Sequence, residues 1–268
     1  MPRDSIEAVG LTDSGNVRQF NEDRIVVDPD LGIMALADGM GGHRAGDVAA
    51  DLAAEVVVAR LRAHLAATAR QSTLSAVNES IIQANQAVVA AARGNAAREG
   101  MGTTLAVAVF HDNVVALGHV GDSRIYRLRA GQLMQMTRDD SLLREAVDRG
   151  IISAEDASAS HNRNLVTRAL GAGPTVAVNV QNVPASPGDI YLLCSDGLTD
   201  LVCHADLELI MKSLEANLAL AARTLVETAK DNGGYDNVSV ILARVKKPFP
   251  AATTPSGWLA RLFAFFGA

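Results

Sequence analysis

Three aspartates, far apart in the chain, each sit at an end of an apolar segment and are followed by glycine or asparagine. They are Asp38, Asp196 and Asp236. A carboxylate at the mouth of a buried strand is costly unless a cation or a hydrogen-bond donor meets it. Three such carboxylates that converge would repel one another, and a hard divalent metal held by oxygen ligands resolves that repulsion. Gly39 leaves its own carbonyl unshielded as a further oxygen ligand. The pattern therefore predicts a metal-dependent enzyme site.

The composition allows a large core and argues against nucleic acid as a partner. The chain has 268 residues, of which 49% are hydrophobic, so it suits one large domain or two small ones. Aromatic residues make up only 4%, too few for base-stacking platforms. The net charge is −6, and no run of lysine or arginine forms a basic patch. Nucleic-acid binding is therefore not expected.

The two cysteines carry no metal-binding pattern. Cys194 and Cys203 have no histidine at zinc-finger spacing, and each is interpreted as a small buried hydrophobe. Two cysteines also fit a reducing compartment. The residues after Met1 lead into no apolar stretch of the kind found in secretory signals. The sequence therefore predicts a cytoplasmic protein.

Strand-like segments come as hairpins and helical segments come in pairs, which predicts an α+β fold. Hairpin signals occur at residues 111–112 and 130–131. Helices are expected over about 45–65 and 74–92, with Ser72 as an N-cap, and later over 207–214 and 218–230. This arrangement favours antiparallel sheets packed face to face with helical pairs outside. A doubly wound parallel sheet is the competing layout, but the glycines after Asp38 do not match its phosphate loop.

Two further charged residues, Arg18 and Asp122, each have both a structural and a functional interpretation. Arg18 lies close in sequence to Glu22 and Asp23, and most such pairs are solvated salt bridges of little energetic weight. An arginine fork also matches a phosphate, and beside three metal-type aspartates this second interpretation is preferred. Asp122 follows an apolar segment and is either a turn residue or another metal carboxylate. No histidine pair has zincin spacing and no G-x-S-x-G elbow exists, so hydrolysis by metal-bound water is favoured.

Six motifs in order resemble those of the PP2C-type (PPM) metal-dependent protein serine/threonine phosphatases, bacterial branch. The resemblance spans about residues 6–245 and rests on Arg18-x-x-Asn21-Glu22-Asp23, Ala37-Asp38-Gly39-Met40-Gly41-Gly42-His43, Gly102-Thr103-Thr104, Gly121-Asp122-Ser123-Arg124, Cys194-Ser195-Asp196-Gly197-Leu198 and Asp236-Asn237-Val238-Ser239. It implies a β-sandwich of two antiparallel sheets flanked by helical pairs, a four-layer αββα arrangement. It also implies hydrolysis of phosphoserine and phosphothreonine in proteins.

The resemblance further implies a centre of two Mn²⁺ or Mg²⁺ ions and assigns residues to it. Asp38 would bridge both ions, and a water between them would attack phosphorus without a phospho-enzyme. Arg18 would bind the phosphate, and Asp122 would contribute to a third, weaker ion. The remaining implied contacts are the Gly39 carbonyl, the carboxylates of Asp196 and Asp236, which would bind the ions directly, and Glu22 and Asp23, which would hold metal waters.

One position departs from the eukaryotic members of that family. They carry histidine directly after the Asp-Gly pair, where it is assigned as the general acid. This chain has Met40 there and His43 three residues later. The proton donor is therefore either His43 or a metal-bound water.

The remaining expectations concern organisation and partners. We expect a phosphatase domain over 1–247 and, over 248–268, a short spacer with an apolar tail that docks on the domain itself or on a partner or membrane surface. Membrane contact is expected only through that tail, which is shorter than a spanning helix. We expect a monomer that acts on phosphorylated proteins and opposes a partner kinase. The rival hypothesis is a catalytically silent relative that binds metal or phosphopeptides as a regulator.

Overall fold

The computed structural model describes residues 4–41, 45–67, 72–153, 156 and 165–249. The strands are β1 (Ile6–Asp13), β2 (Asp23–Asp28), β3 (Ile33–Met40), β4 (Gly102–Thr103), β5 (Leu105–His111), β6 (Val114–Val120), β7 (Arg124–Arg129), β8 (Gln132–Gln135), β9 (Asn179–Pro184), β10 (Ile190–Cys194) and β11 (Val238–Val245). The helices are α1 (Ala45–Ala66), α2 (Thr73–Ala92), α3 (Leu142–Asp148), α4 (Asp196–Thr199), α5 (His204–Ser213) and α6 (Leu218–Asp231), with a short 3₁₀ turn at Ala96–Arg98.

The strands form two antiparallel sheets. The first has the order β1-β11-β10-β7-β8, and the second has the order β2-β3-β5-β6-β9 with β4 paired to β3. Tight turns connect the predicted hairpins. Asp112 and Asn113 (φ 49° and 59°) join β5 to β6, and Ala130 and Gly131 (φ 50° and 76°) join β7 to β8. Two consecutive left-handed residues match the right-handed twist of the flanking strands, which is why these segments form hairpins.

The two sheets pack face to face over an apolar core. Met34, Tyr191 and Ile241 are fully buried between them. Phe110 meets Tyr191 edge to face, with ring centroids 5.4 Å apart. Aromatic pairs prefer this geometry, and it fixes the spacing of the sheets at this point.

Helices cover both outer faces of the sandwich. On the second sheet, α1 and α2 bury residues at helical spacing against the strands, and on the first sheet α5 and α6 do the same. Ser72 caps α2 as predicted, because its hydroxyl accepts from the Ser75 amide at 3.1 Å. The predicted four-layer αββα fold is confirmed.

Several details differ from the expectations. The elements β4 and α4 were not predicted, since two and four residues are too short to produce a periodic pattern. The first hairpin turn lies one residue later than its sequence signal, at Asp112 and Asn113. Cys194 is buried, but Cys203 is exposed, so the prediction of a buried Cys203 is wrong. Among the described residues, no helix is long and apolar enough to cross a membrane.

The chain remains packed on the sandwich to the end of the described range. Phe249 is 5% exposed in the core between the sheets, and its amide donates to Asn113 Oδ1 at 2.6 Å. The tail from residue 250 lies outside the described residues. The division into a domain over 1–247 and a tail over 248–268 therefore stays a prediction.

Candidate active site

The register of the two sheets brings the predicted site residues to one end of the sandwich. Asp23 at the start of β2 pairs with Asp38 near the end of β3. In the other sheet, Asp196 follows β10 as the first residue of α4, and Asp236 precedes β11. Ser195 joins the two sheets at this end, because its hydroxyl donates to Asp23 Oδ2 at 2.9 Å.

Buried threonines fix the main chain at Asp38. The Asp38 amide donates to Thr104 Oγ1 at 3.1 Å, and the Asp38 carbonyl accepts from the Thr104 amide and from Thr103 Oγ1, each at 2.9 Å. Thr104 Oγ1 also lies 2.7 Å from Ser123 Oγ, in the turn after β6. These threonines therefore position the strand end that carries Asp38, a role that sequence reasoning missed. The signal was their place next to a buried strand, where a hydroxyl needs a partner.

Glycines allow the backbone beside Asp38 to pack closely. A Cβ atom on Gly39 would lie 2.2 Å from the Gly46 carbonyl oxygen and 2.6 Å from that of Glu22. On Gly46, a Cβ atom would lie 2.8 Å from Glu22 Oε1. The start of α1 thus packs directly against Gly39 and the Glu22 side chain, which accounts for glycine at both positions on steric grounds.

The carboxylates at this end raise one another's pKa. Burial, followed by the charges of four other aspartates, holds the pKa of Asp38 well above its usual range. In order of effect these are Asp23, Asp196, Asp122 and Asp236. Burial likewise raises the pKa of Asp196 well above its usual range, and the charge of Asp122 adds to the shift. The charged forms of these groups are therefore costly in the metal-free protein.

Asp23 and Asp122 shift in the same direction. Burial raises the pKa of Asp23 to about 6, although hydrogen bonds from Ser239 and Ser195 oppose the shift. Burial and the charge of Asp139 raise the pKa of Asp122 to about 6. Both carboxyls would therefore ionise near neutral pH rather than near their ordinary pKa.

Arg18 lies against this group, but it pairs with a different carboxylate from its sequence neighbours. Its Nη2 donates to Asp236 Oδ2 at 2.8 Å, and this bond raises the pKa of the guanidinium. The Arg18 side chain is 53% exposed, so its other donors face solvent at the rim of the site. This position suits a group that would meet an incoming anion.

Asn237 holds the Arg18 loop in place. Its Nδ2 donates to the carbonyls of Ser14 at 3.1 Å and Phe20 at 2.9 Å, and its Oδ1 accepts from the Glu22 amide at 2.8 Å. The loop between β1 and β2 is therefore tied to the start of β11. Sequence reasoning assigned no such role to Asn237, since the contacts join residues more than two hundred positions apart.

The donor set fits a hard divalent cation. Its side-chain donors are carboxylate oxygens, the type that Mg²⁺ and Mn²⁺ favour. Asp23 Oδ1 is buried without a hydrogen-bond partner, which is costly unless a cation or its water meets the oxygen. Over the described ranges, no three acidic, histidine or cysteine side chains form a ready metal-binding group. Main-chain oxygen and water would therefore have to complete the coordination.

The structure brings together the predicted site residues that it describes. Contacts and pKa effects link Arg18, Glu22, Asp23, Asp38, Gly39, Asp122, Asp196 and Asp236. His43 lies outside the described residues. Met40 pairs with Gly102 between β3 and β4 and carries no titratable proton.

An αββα sandwich with this acidic end defines the class of PP2C-like folds, and comparisons with known proteins identify the family. Residues 16–232 match the model of the family described as protein phosphatase 2C. The chain is 42% identical over 236 residues to the serine/threonine protein phosphatase PstP of Mycobacterium tuberculosis, covering 87% of this chain and 44% of PstP. It is 38% identical over 234 residues to the serine/threonine phosphatase Stp of Listeria innocua, covering 86% of this chain and 92% of Stp. The chain belongs to the protein phosphatase 2C family.

A solved structure of a relative agrees with the fold. The crystal structure of the catalytic domain of PstP in complex with two manganese ions has a TM-score of 0.78 and 37% sequence identity to this chain. The superposition covers 90% of this chain and 99% of that one. The chain thus spans less than half of full-length PstP but nearly all of its solved catalytic domain.

Proposed function

We propose that this chain is a metal-dependent protein serine/threonine phosphatase that hydrolyses phosphoserine and phosphothreonine in other proteins. The observation that carries the proposal is the cluster of buried carboxylates that raise one another's pKa beside the half-exposed Arg18. Such a cluster is unfavourable unless cations neutralise it, and perturbed carboxylates of this kind concentrate at functional sites. The curated relatives carry the same activity in their names, which supports the proposal.

Two Mn²⁺ or Mg²⁺ ions are the cofactor that this donor set would hold. We assign Asp38 to both ions, and Asp122 to a third, weaker one. The other assigned contacts are the Gly39 carbonyl, Asp196, Asp236 and, through water, Glu22 and Asp23. The orphaned Asp23 Oδ1 supports the assignment, and so does the manganese-bound structure of PstP. When bound, the ions would supply an activated water and stabilise charge on the phosphoryl oxygens.

The chain's own residues bind and orient the substrate. The Arg18 fork presents N–H donors that match phosphate oxygens, and Asp236 holds the guanidinium in position by accepting from Nη2. The hydroxyls of Thr104 and Ser195 fix the main chain at Asp38 and the carboxylate of Asp23. Because these supports are buried, the geometry is set before the substrate arrives.

The proton for the leaving group comes from His43 or from a metal-bound water. When the P–O bond of phosphoserine breaks, the serine oxygen leaves as an alkoxide whose conjugate acid has a high pKa and therefore needs that proton, whereas p-nitrophenolate does not. If His43 is the donor, His43→Ala slows phosphopeptide hydrolysis by roughly 10²-fold and leaves p-nitrophenyl phosphate nearly unaffected. Steady-state rates on both substrates check this, and equal small effects would assign the role to water.

The central experiment compares hydrolysis of p-nitrophenyl phosphate and of a phosphothreonine peptide with Mn²⁺, with Mg²⁺ and with EDTA. We expect turnover of both substrates with either metal and none with EDTA. The competing function is a catalytically silent regulator that binds metal or phosphopeptides. Phosphopeptide binding without phosphate release at saturating Mn²⁺ would establish that rival. The presence of every aspartate and of Arg18 favours the enzyme.

The cellular setting extends the same proposal. We infer a cytoplasmic monomer that acts on phosphoproteins and opposes a serine/threonine kinase, with membrane contact confined to the tail over 248–268. Size-exclusion chromatography with light scattering tests the monomer. Liposome co-sedimentation of the full chain against a chain ending at residue 249, which keeps the buried Phe249, tests the tail.

A further inference from the structure

A groove of about 710 Å³ opens from the acidic end of the sandwich. Asp122 and Asp196 form part of its wall, together with residues of β8, the segment between β8 and α3, α3 itself, and the chain from α4 to the start of α5. A cleft of this volume encloses a ligand of drug size or a short peptide segment. The groove therefore shares Asp122 and Asp196 with the proposed metal site and is large enough for the residues that flank a phosphoserine.

Two arginines in the wall of this groove share one acidic partner. Arg144 Nη2 lies 3.1 Å from Asp148 Oδ1, and Arg138 Nη2 pairs with Asp148 Oδ2. Two guanidinium groups against one carboxylate leave a net positive charge. The Arg138 and Arg144 side chains are 57% and 48% exposed, and each fork has five N–H donors. Donors therefore remain for a further anionic acceptor.

The other charges in the wall do not compete for such an acceptor. The Arg124 guanidinium is held by Asp139, with Nε at 2.9 Å and Nη2 at 2.7 Å from Oδ2. Asp200 repels an anion, and Asp122 and Asp196 are the carboxylates assigned to the ions. Among the arginines that line the groove in the described part of the chain, Arg138 and Arg144 are therefore the pair with donors left for a carboxylate.

The main chain of Arg138 is fixed relative to the acidic end. The His119 ring nitrogen Nε2 lies 2.9 Å from the Arg138 carbonyl oxygen. Two residues later, the Asp140 amide donates to the Gly121 carbonyl at 2.9 Å, and the Gly121 amide donates to Asp140 Oδ2 at 3.1 Å. Since Gly121 precedes Asp122, these hydrogen bonds tie the Arg138 segment to the site. The distance between Arg138 and the site is therefore fixed, and it determines which residue of a bound peptide lies beside this arginine.

We propose that this groove binds the substrate polypeptide beside its phosphoresidue, and that Arg138 and Arg144 select substrates with a glutamate or aspartate near the phosphorylation site. The inference rests on the proposed phosphatase function and names its substrate class. It concerns two arginines that have no part in the proposed phosphate and metal sites.

The test is a ratio of rates on matched phosphopeptides. One peptide series carries a single glutamate at each flanking position in turn, and its partner series carries glutamine instead. We expect kcat/KM to favour glutamate by roughly fivefold to tenfold at one or two positions, as for partly exposed ion pairs that act together. In Arg138→Gln/Arg144→Gln the ratio should fall to about one. Rising salt should lower the wild-type ratio, because exposed charges are screened.

The matched control removes the same charge elsewhere. In Arg149→Gln/Arg223→Gln, two exposed arginines outside the groove wall are lost, and the ratio should stay at the wild-type value. A wild-type ratio near one at every position would overturn the inference, and so would a ratio that survives in Arg138→Gln/Arg144→Gln. If the wild-type chain hydrolyses p-nitrophenyl phosphate but its glutamate-to-glutamine ratio of kcat/KM is one, only this inference is contradicted. A chain that hydrolyses nothing contradicts the proposed function itself.

Discussion

The core between the sheets and the acidic end of the same sandwich are built from the same strands. The core buries apolar side chains, whereas the acidic end buries carboxylates. Strand β3 runs through both regions. Met34 and Leu36 are fully buried among apolar side chains, and two residues further on Asp38 lies among carboxylates that raise its pKa. The core gains free energy from every buried group, whereas the acidic end loses it with every ionised one.

This contrast separates stability from function within one fold. A surplus of apolar burial allows a local cluster of unfavourable charges to persist, and such clusters are common where a protein binds cations. Substitutions in the core should therefore change stability and leave turnover intact. Substitutions at the acidic end should do the reverse.

The largest expected effect is the loss of turnover in Asp38→Asn. Removing the carboxylate assigned to both ions should lower kcat on p-nitrophenyl phosphate by roughly 10²- to 10³-fold or more at saturating Mn²⁺. In EDTA the variant should be at least as stable as the wild type, because one buried charge is gone. Turnover assays and thermal unfolding check both halves. Near-wild-type turnover would refute the two-ion assignment.

The opposite pattern is expected for Ile241→Ala. Ile241 is fully buried between the sheets, so truncation should cost about 2–4 kcal/mol of unfolding free energy, as for other large-to-small changes in cores. At a temperature well below its transition, kcat should stay at the wild-type value. Urea unfolding and turnover at low temperature measure the two quantities. As a control, Leu209→Ala at a 62% exposed position should change stability by less than about 0.5 kcal/mol.

Ser195→Ala tests the boundary between the two regions. The hydroxyl donates to Asp23 Oδ2 and accepts from the Ser239 amide at 3.0 Å in a fully buried position. Its loss should raise the Mn²⁺ concentration for half-maximal activity by roughly tenfold, as for other groups that orient metal-site carboxylates. A Mn²⁺ titration of activity measures this. Ser80→Ala removes another buried hydroxyl, in α2, and should leave the titration unchanged. An unaltered midpoint in Ser195→Ala would make its role purely structural.

The fold was predictable because its signals are local. Alternation, helical spacing and turn residues such as Ala130 and Gly131 act over a few positions, and they report which faces are buried. The positions of the aspartates at strand ends were visible for the same reason. The assignment of metal ligands among them remains a prediction.

The supporting contacts of the site were not predictable, because they join distant parts of the chain. Ser195 and Asp23 are separated by 172 positions, and Arg18 and Asp236 by 218. No periodic pattern reports such a contact. Sequence neighbours even suggested the wrong partner for Arg18, which pairs with Asp236 rather than with Glu22 or Asp23.

The smallest expected effect concerns the pH dependence of stability in the metal-free protein. The pKa of Asp23 and that of Asp122 are raised to about 6, and those of Asp38 and Asp196 are held well above their usual range, whereas an unfolded chain ionises near its ordinary pKa of about 3.9. Between these values the folded state holds protons that the unfolded state has released. Stability is therefore highest below the unfolded pKa values and falls as pH rises through the folded ones.

In EDTA the Tm should accordingly drop by several degrees between pH 5 and pH 7.5, since roughly 1 kcal/mol shifts the Tm of a domain of this size by about 2–4 °C. Scanning calorimetry across that range measures the slope. Asp38→Asn should flatten it, because one of the raised groups no longer titrates, whereas Ile241→Ala should lower the Tm at every pH and keep the slope. A slope that is the same in all three proteins would mean that the acidic end does not set the pH dependence. The buried carboxylates would then not destabilise the metal-free protein, and the proposed electrostatic difference between the two regions would be wrong.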